Sequence, residues 1–324
     1  ATVLRAPVNG EGPESVDDAA ARKVPGVKNV VRMPYGVGVV ADSYPAALKR
    51  RKTLKVTWTS KAKARAYTSD KLLGEYTQRV RNLSDVGVVY EAHGDAKGAM
   101  AKAAKRLTAE YTSVNVTHAC MEPTNCTAQV DGDRIEFWAP TQSRFGVFLA
   151  AIKGLGFQPQ NVKINVTLLG GGYGRRAEND YAFDAGFIAK AMPGQPIKVI
   201  WTREDDIQYT KPRPLTVQRL EAGLDAQGNL VAFHHRIVSE SIYARFAPPA
   251  FEKAGGRDLP VCEGAFEPTY AYPNFELDYL REQRGIDVAV WRSVGGGYTK
   301  FAIETFLEEV AAAGRQGSGD RKGG

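Results

Sequence analysis

Val166-Thr167-Leu168-Leu169-Gly170-Gly171-Gly172-Tyr173-Gly174-Arg175-Arg176 runs from an apolar segment through four glycines into two arginines. The apolar part reads as a strand, Val162 to Leu169, and the glycines as a tight loop leaving the sheet. Behind the loop, Ala177 to Ala191 carries helical spacing. Strand, glycine loop and helix together let peptide N–H groups approach an anion closely while the helix N-terminus favours negative charge. Arg175 and Arg176 add positive charge. No Lys-Ser or Lys-Thr follows, so this is not a P-loop, and the G-x-G-x-x-G spacing fails.

A second glycine loop stands in Val290-Trp291-Arg292-Ser293-Val294-Gly295-Gly296-Gly297-Tyr298, just before a helix expected from Thr299 or Lys300 to Ala313. Arg292 is poised there for a charge-assisted contact. Two such loops could converge on one phosphate- or pterin-bearing ligand, or be two unrelated turns. Around them, strands are expected at Ala109 to Val116, Thr127 to Val130, Ile135 to Ala139, Ile197 to Thr202 and Val231 to Val238, the last placing His234 and His235 on opposite faces. Helices are expected at Ser69 to Asn82, Gly94 to Ala104 and Gln142 to Leu155. Toward the amino terminus lie strands Thr2 to Leu4, Val27 to Val31, Gly36 to Ala41 and Leu54 to Trp58, with helices Val16 to Lys23 and Tyr44 to Arg50. Thr59 to Ala66 has no periodicity and suits an exposed linker. The fold class is α/β (α+β), with a break near residue 62 and a flexible Gly-, Lys- and Arg-rich tail, 314–324.

The 324 residues, 43% hydrophobic and 24% charged, exclude disorder and a fibrous chain and suit roughly two domains. The net charge of +7 is spread over the whole length and does not mark a nucleic-acid surface. No apolar run approaches the roughly 18 residues of a membrane span. Cys120, Cys126 and Cys262 are too few for a disulfide framework, and an odd count leaves a thiol free. His118, Cys120 and Cys126 lie close together, but their spacing fits none of the usual zinc patterns. Trp201-Thr202-Arg203-Glu204-Asp205-Asp206 reads as a helix N-terminus with favourable carboxylates. Gln142 follows the strand ending in Ala139, where its amide could donate to a ligand oxygen. His93, His234 and His235 have no Ser or Cys nucleophile signature nearby and receive no catalytic role.

Met121-Glu122-Pro123, Trp138-Ala139-Pro140-Thr141-Gln142, Gly170 to Arg176, Trp201 to Asp206 and Arg292-Ser293-Val294-Gly295 occur in an order that resembles the molybdopterin-binding large subunit of the xanthine dehydrogenase/aldehyde oxidoreductase family. The likeness is to isoquinoline 1-oxidoreductase beta subunits and the membrane-associated aldehyde dehydrogenases of acetic acid bacteria. It implies that residues 1–62 are the later part of an α/β-hammerhead domain, through Leu4-Arg5-Ala6-Pro7, Val24-Pro25-Gly26-Val27 and Val39 to Ser43. Residues 63–313 would be the first half of the molybdopterin-binding domain. The cofactor implied is molybdopterin cytosine dinucleotide carrying molybdenum. Gln142 would hydrogen-bond an oxygen ligand of the metal, and Gly171, Gly172, Tyr173, Gly174 and Arg175 would pass beside the pterin. Arg292 and Ser293 would sit near the active site, with Gln142 and Arg292 the catalytic pair. No protein ligand to the metal is expected, because the cofactor's dithiolene holds it.

The same resemblance implies oxidation of an aldehyde to a carboxylic acid with water, or hydroxylation of an N-heterocycle. Electrons would pass to [2Fe-2S] clusters on a small subunit, since three cysteines cannot ligate such clusters here. The carboxy-terminal remainder of the large subunit and a membrane cytochrome subunit are the other partners implied, and the location is the periplasmic side of the bacterial inner membrane or, otherwise, the cytoplasm. Ala177 stands where purine-oxidising relatives place a glutamate, and Val294 where they place an aromatic, which argues against purines. The family's general-base glutamate belongs to a Gly-Glu-Pro-like motif that is absent here, and Glu304, Glu308 and Glu309 are no substitute. Ala1 then reads as an interior start, and independent catalysis is not expected. Apart from the resemblance, a carrier of a pterin dinucleotide and a nucleotide-phosphate-binding α/β protein are the competing functions.

Overall fold

The helix behind the first glycine loop forms over Asp180–Lys190, and it buries Tyr181, Ala182, Ala185, Ile188 and Ala189 at the spacing of a helix laid on a sheet. The computed structural model describes residues 1–22, 25–266 and 270–319. The sheet has four strands in the order Val162–Val166, Arg134–Ala139, Asn125–Asp131, Ile197–Ile200. Only the first pair is parallel. Cys126, Ala128, Val130, Ile135, Phe137 and Ala139 alternate inward and form one core with the helix. The expected strand to Leu169 stops at Val166: the Thr167 N–H makes the last ladder bond, to the Ala139 carbonyl, and Leu168 is 97% exposed. The helix expected from Gln142 starts at Arg144, capped by the Ser143 hydroxyl, and closes in a π-turn over Ala150–Gly154.

The amino-terminal segment adds a three-stranded antiparallel sheet, Thr2–Arg5, Gly36–Ala41, Val27–Met33, and a pair, Pro13–Asp17 with Lys55–Trp58. The helix expected over Val16 to Lys23 is mostly not one. Val16 and Asp17 pair with Val56 and Lys55, a short helix Ala19–Arg22 follows, and Lys23 lies outside the described residues. Nor is 59–66 a free linker, since Ala64 is buried and Arg65 bonds the buried Glu11 carboxylate at 2.6 and 2.8 Å.

Ala1–Ala66 with Thr117–Lys211 forms one compact unit, and Tyr67–Val116 with Pro212–Gly324 the other. The chain passes between the units after Ala66, Val116 and Lys211. The physical reason is in the first unit's core. Asp184 on the 180–190 helix is fully buried and binds the Arg5 guanidinium, the Tyr35 hydroxyl at 2.6 Å and the Trp201 indole at 3.0 Å. Gly38 lets the small sheet approach closely, for a Cβ there would lie 2.7 Å from Ile188 Cδ1.

The second unit is a five-stranded sheet in the order Val88–His93, Phe275–Glu282, Leu230–Glu240, Thr216–Leu224, Lys105–Ser113. One core joins Leu220, Phe233, Ile237 and Leu277 to Ala302, Ile303 and Phe306 of the helix Gly296–Gly319. Another joins Val217, Val238 and Leu280 to Leu72, Tyr76 and Val80 of the helix Ser69–Arg81. Three of these strands, 88–93, 216–224 and 275–282, were not expected. In 216–224 the charges of Arg219 and Glu221 mask the alternation, and they are paired with each other at 2.9 Å and, through Arg219, with Glu110. The helix after the second loop begins at Gly296 and continues to Gly319, so 314–319 is helical rather than a tail. There Gly314 packs against the Gly228 carbonyl, and a Cβ on Gly314 would come within 2.8 Å of it. Residues 320–324 lie outside the described residues.

His234 and His235 do face opposite sides of their strand, and they titrate in opposite directions. Burial works against a charge on His234, but bonds to Asp278 at 2.8 Å and Glu221 at 3.3 Å lift its pKa to about 9. Burial drives His235 down to about 3, aided by the charge of His234. Above pH 6.5 the folded chain keeps a proton on His234 that the unfolded chain has lost, so stability falls until about pH 9. Below pH 6.5 the unfolded chain gains a proton that folded His235 refuses, so stability falls again toward pH 3. Each limb is expected to slope by up to about 1.4 kcal/mol per pH unit. Urea denaturation across pH should show His234→Gln flattening the alkaline limb, and changing the acid limb as well because the His234 charge that helps hold His235 down is gone; an unchanged alkaline limb would refute the assignment.

Candidate functional site

Four of the five motif segments meet in the first unit through hydrogen bonds. Glu122 and Gly170 lock two loops reciprocally: the Glu122 N–H donates to the Gly170 carbonyl at 3.0 Å, and the Gly170 N–H to Glu122 Oε2 at 2.9 Å. The Arg176 guanidinium, fully buried, donates to the Glu122 and Pro123 carbonyls at 3.0 and 3.2 Å and to the Glu122 carboxylate at 3.3 Å. Partial burial pushes that carboxyl up, yet the Gly170 N–H, the Asn125 amide and Arg176 together hold it below the usual range. The Thr141 hydroxyl and Gln142 N–H both donate to the Arg176 carbonyl at 3.0 Å, while Gln142 Oε1 accepts the Gly174 N–H at 3.0 Å. From the fourth segment, Arg203 donates to the Met121 carbonyl at 2.9 Å, and Asp206 accepts from Thr124 at 2.6 Å. The helix Arg203–Gln208 has the expected N-terminus, with a capping box between Thr202 and Asp205.

What this frame holds open is the crest of the glycine loop. The N–H groups of Gly171, Gly172 and Tyr173 meet no protein acceptor among the described residues, although Gly172 is buried. Orphaned buried N–H groups are rare in folded proteins, and consecutive ones form a concavity for an anion. Gly171 and Gly174 take φ of 98° and 101°, which favours glycine. A Cβ on Gly172 would lie 2.4 Å from Gln142 Oε1. The Gln142 side chain is exposed, and its Nε2 donates to no protein atom among the described residues.

Four described non-glycine residues have positive φ: Tyr173 (53°) in the first glycine loop, Ser293 (71°) and Val294 (47°) in the second, and Ala119 (44°) two residues before Met121. Such strain costs about 1–3 kcal/mol per residue and collects at functional sites. The second glycine loop, which belongs to the second unit, has the same character. Arg292 is exposed and has no hydrogen bond or ion pair among the described residues, and the N–H groups of Ser293, Gly295 and Gly296 are likewise unpaired. The loop's far side is fixed: the Tyr298 hydroxyl donates to the Val261 carbonyl at 2.9 Å, and its own carbonyl accepts from the Gln218 amide at 3.2 Å.

Arg175 is the expected site residue that the structure places elsewhere. It is fully buried, bonded bidentately to Asp180 at 2.9 and 3.1 Å, with its guanidinium 5.0 Å from the Trp201 ring. Its charge is spent on Asp180, whose carboxyl Arg175 and Lys211 hold well below the usual range against the opposing effect of burial. It shapes the loop from beneath. Beside it, Ala177 offers no carboxylate, and Glu178 is buried against Lys211. Of the trio His118, Cys120 and Cys126, His118 contacts the Thr210 hydroxyl at 3.4 Å, the Cys120 thiol donates to the Gly172 carbonyl at 3.4 Å, and Cys126 packs in the core. Burial, with Asp206 nearby, pushes the Cys120 thiol up, so it stays protonated as that donor. The locking roles of Glu122, Thr141 and Arg203 carry no local sequence signal; only the order of the motifs hinted at them.

The molybdopterin cofactor-binding domain family matches residues 82–315. The chain belongs to this family. Its membership extends to the xanthine dehydrogenase/aldehyde oxidoreductase superfamily. It is 33% identical over 320 residues to the isoquinoline 1-oxidoreductase subunit beta of Brevundimonas diminuta, covering 96% of this chain and 40% of that protein. It is 30% identical over 315 residues to the membrane-bound aldehyde dehydrogenase (pyrroloquinoline-quinone) of Gluconacetobacter polyoxogenes, covering 93% and 40%. The fold is that of the aldehyde oxidoreductase from Desulfovibrio gigas, with a TM-score of 0.71 at 16% identity over 95% of this chain and 38% of that one. The chain thus spans about 40% of the length of the curated relatives it matches. Among the described residues no helix is long and apolar enough to cross a membrane.

Proposed function

We propose that this chain is the cofactor-binding part of a molybdenum hydroxylase that converts an aldehyde and water into a carboxylic acid, two electrons and two protons. The observation that carries this reading is the crest of the first glycine loop, where consecutive N–H groups without a protein acceptor among the described residues stand beside Gln142, whose Nε2 likewise donates to no described protein atom. The group they fit is molybdopterin cytosine dinucleotide. When bound, its molybdenum supplies the two-electron redox chemistry. Gly171, Gly172 and Tyr173 would hold it through peptide donors and Gln142 through Nε2; Arg292 and Ser293 of the second loop are taken as further anion-binding residues. Arg175 supports the loop from below. Residues 1–62 are taken as the end of an α/β-hammerhead.

Among the described residues, the carboxylates bonded into the first loop's frame are committed: Glu122 to Gly170 and Arg176, Glu178 to Lys211, Asp180 to Arg175, Asp206 to Thr124 and Arg203. This supports a general base on the carboxy-terminal remainder of the large subunit. The partners proposed are that remainder, a [2Fe-2S] small subunit and a membrane cytochrome subunit, on the periplasmic side of a bacterial inner membrane. Hydroxylation of an N-heterocycle is the second reading, favoured by the 33% identity to an isoquinoline 1-oxidoreductase subunit.

Metal analysis and nucleotide release from the chain purified with its companions test the cofactor. One molybdenum and one cytidine nucleotide per chain are expected, and absence of both would overturn the proposal. Dye reduction driven by aldehydes or by isoquinoline then separates the two substrate classes, and no reduction by either makes the chain a carrier. Arg292→Ala should weaken cofactor retention roughly 10- to 100-fold, the worth of charge-assisted hydrogen bonds. Unchanged retention would reduce Arg292 to a surface residue.

A further inference from the structure

A cavity of about 420 Å³ opens in the second unit, away from the second glycine loop in sequence and lined by none of its residues. Its floor is the face of the five-stranded sheet that carries His234. The parallel strands Leu230–Glu240 and Phe275–Glu282 pair His234 with Glu276 and Arg236 with Asp278, and the antiparallel neighbour sets Glu221 opposite His234. These side chains therefore emerge on one face, side by side. His234 Nε2 lies 2.8 Å from Asp278 Oδ1 and 3.9 Å from Glu276 Oε1, and one ligand atom from each of the three residues falls within 4.8 Å of the others. Leu83, Val89 and Met100 form apolar walls.

We infer that His234, Glu276 and Asp278 bind a divalent transition-metal ion, with zinc the best match, at the floor of this cavity.

Three features separate the cluster from an ordinary charge network. First, two of the carboxylates are pre-oriented by neighbouring arginines, Arg236 at the cavity lining and Arg219 beside Glu221. The Arg236 guanidinium holds Asp278 Oδ2 at 2.8 Å and Arg219 holds Glu221 Oε1 at 2.9 Å, which turns the other oxygen of each toward the imidazole. Second, Glu221 sits behind His234 at Nδ1, 3.3 Å away, and this carboxylate-behind-imidazole arrangement fixes the ring of a metal-binding histidine. Third, the cation facing Glu276 is the Lys97 ammonium, 3.2 Å away on a side chain that is 80% exposed, and it can swing into solvent when an ion arrives. One imidazole nitrogen, freed when the ion displaces to solvent the proton that His234 Nε2 shares with Asp278, and two carboxylate oxygens, with the cavity leaving room for a water ligand, suit four-coordinate zinc. Gly87 makes room for the cluster, since a Cβ there would lie 2.4 Å from Asp278 Oδ2. The site would tie the sheet's parallel pair together; it has no part in the chemistry proposed above.

The test is calorimetric titration of the full chain, stripped with chelator and dialysed, with zinc chloride alone, followed by thermal denaturation. One equivalent should bind and raise the melting temperature. Glu276→Gln, whose side chain has Lys97 and a distant His234 as its charged partners among the described residues, should weaken binding by at least about tenfold with its circular dichroism unchanged. Lys97→Ala should tighten binding by removing the competing ammonium. Cobalt substitution should give visible d–d bands that Glu276→Gln alters. No stoichiometric binding, or binding that Glu276→Gln and His234→Gln leave at the original affinity, would overturn the inference and place any bound zinc elsewhere on the chain.

Discussion

An Asp184→Ala chain is expected to lose about 3–5 kcal/mol of stability, the cost of leaving a buried charge without its partner. Asp184 is fully buried, and its carboxylate is the common acceptor for Arg5, Tyr35 and Trp201. The Arg5 guanidinium also lies over the Trp201 ring, 3.9 Å from its centroid, so removing the carboxylate strands a desolvated cation inside the core. Burial pushes the Asp184 carboxyl above its ordinary range even against the pull of Arg5. Asp184→Asn keeps the shape and one acceptor oxygen, so it should cost less, on the order of 1–3 kcal/mol. Urea denaturation gives the two losses, and hydrogen exchange should localise them to Thr2–Arg5 and Asp180–Lys190. A loss below about 1 kcal/mol for the alanine variant would show that this network does not hold the first unit together.

Gln142→Glu is expected to lower turnover about 10²- to 10³-fold, the range for removing one preorganised donor at a reacting centre. The glutamate keeps an oxygen to accept the Gly174 N–H, so the loop stays in place while the Nε2 donor disappears. Gln142→Ala removes both functions and should lose turnover to a similar degree with some cofactor as well, though turnover must fall further than cofactor content. Substrate-driven dye reduction and molybdenum content, measured on the same preparations of the chain with its companions, give the two numbers. If turnover and cofactor content fall together in both variants, Gln142 is a loop tether and nothing more.

Much of the first loop's surroundings was legible because glycine patterns and strand ends are local. The glycines at 171 and 174 announce left-handed backbone, and the 3.6 period after them announces the helix that forms at Asp180–Lys190. Arg175 shows where local reading fails. Its place beside glycines suggests an anion contact, yet which way a long side chain turns depends on Asp180 and Trp201, residues outside the motif. The His234 cluster was illegible for the same reason in larger measure. Its members come from strands 13 to 57 residues apart, and no spacing rule joins His234 to Glu221, Glu276 and Asp278 until sheet order is known.

By itself the sequence determined the local elements: a strand, a glycine loop and a helix, repeated in part around Arg292, and an order of motifs that marks the molybdopterin cofactor-binding family. Those depend on periodicity and on glycine's backbone freedom, which act over a few residues. Only the tertiary structure decided that the chain crosses between two units three times, that Glu122, Gln142 and Arg176 lock one loop, and that Arg175 points inward. It alone set His234 among three carboxylates. Buried charges pair by proximity in space, and in a mixed sheet that proximity is set by strand order and register rather than by distance along the chain.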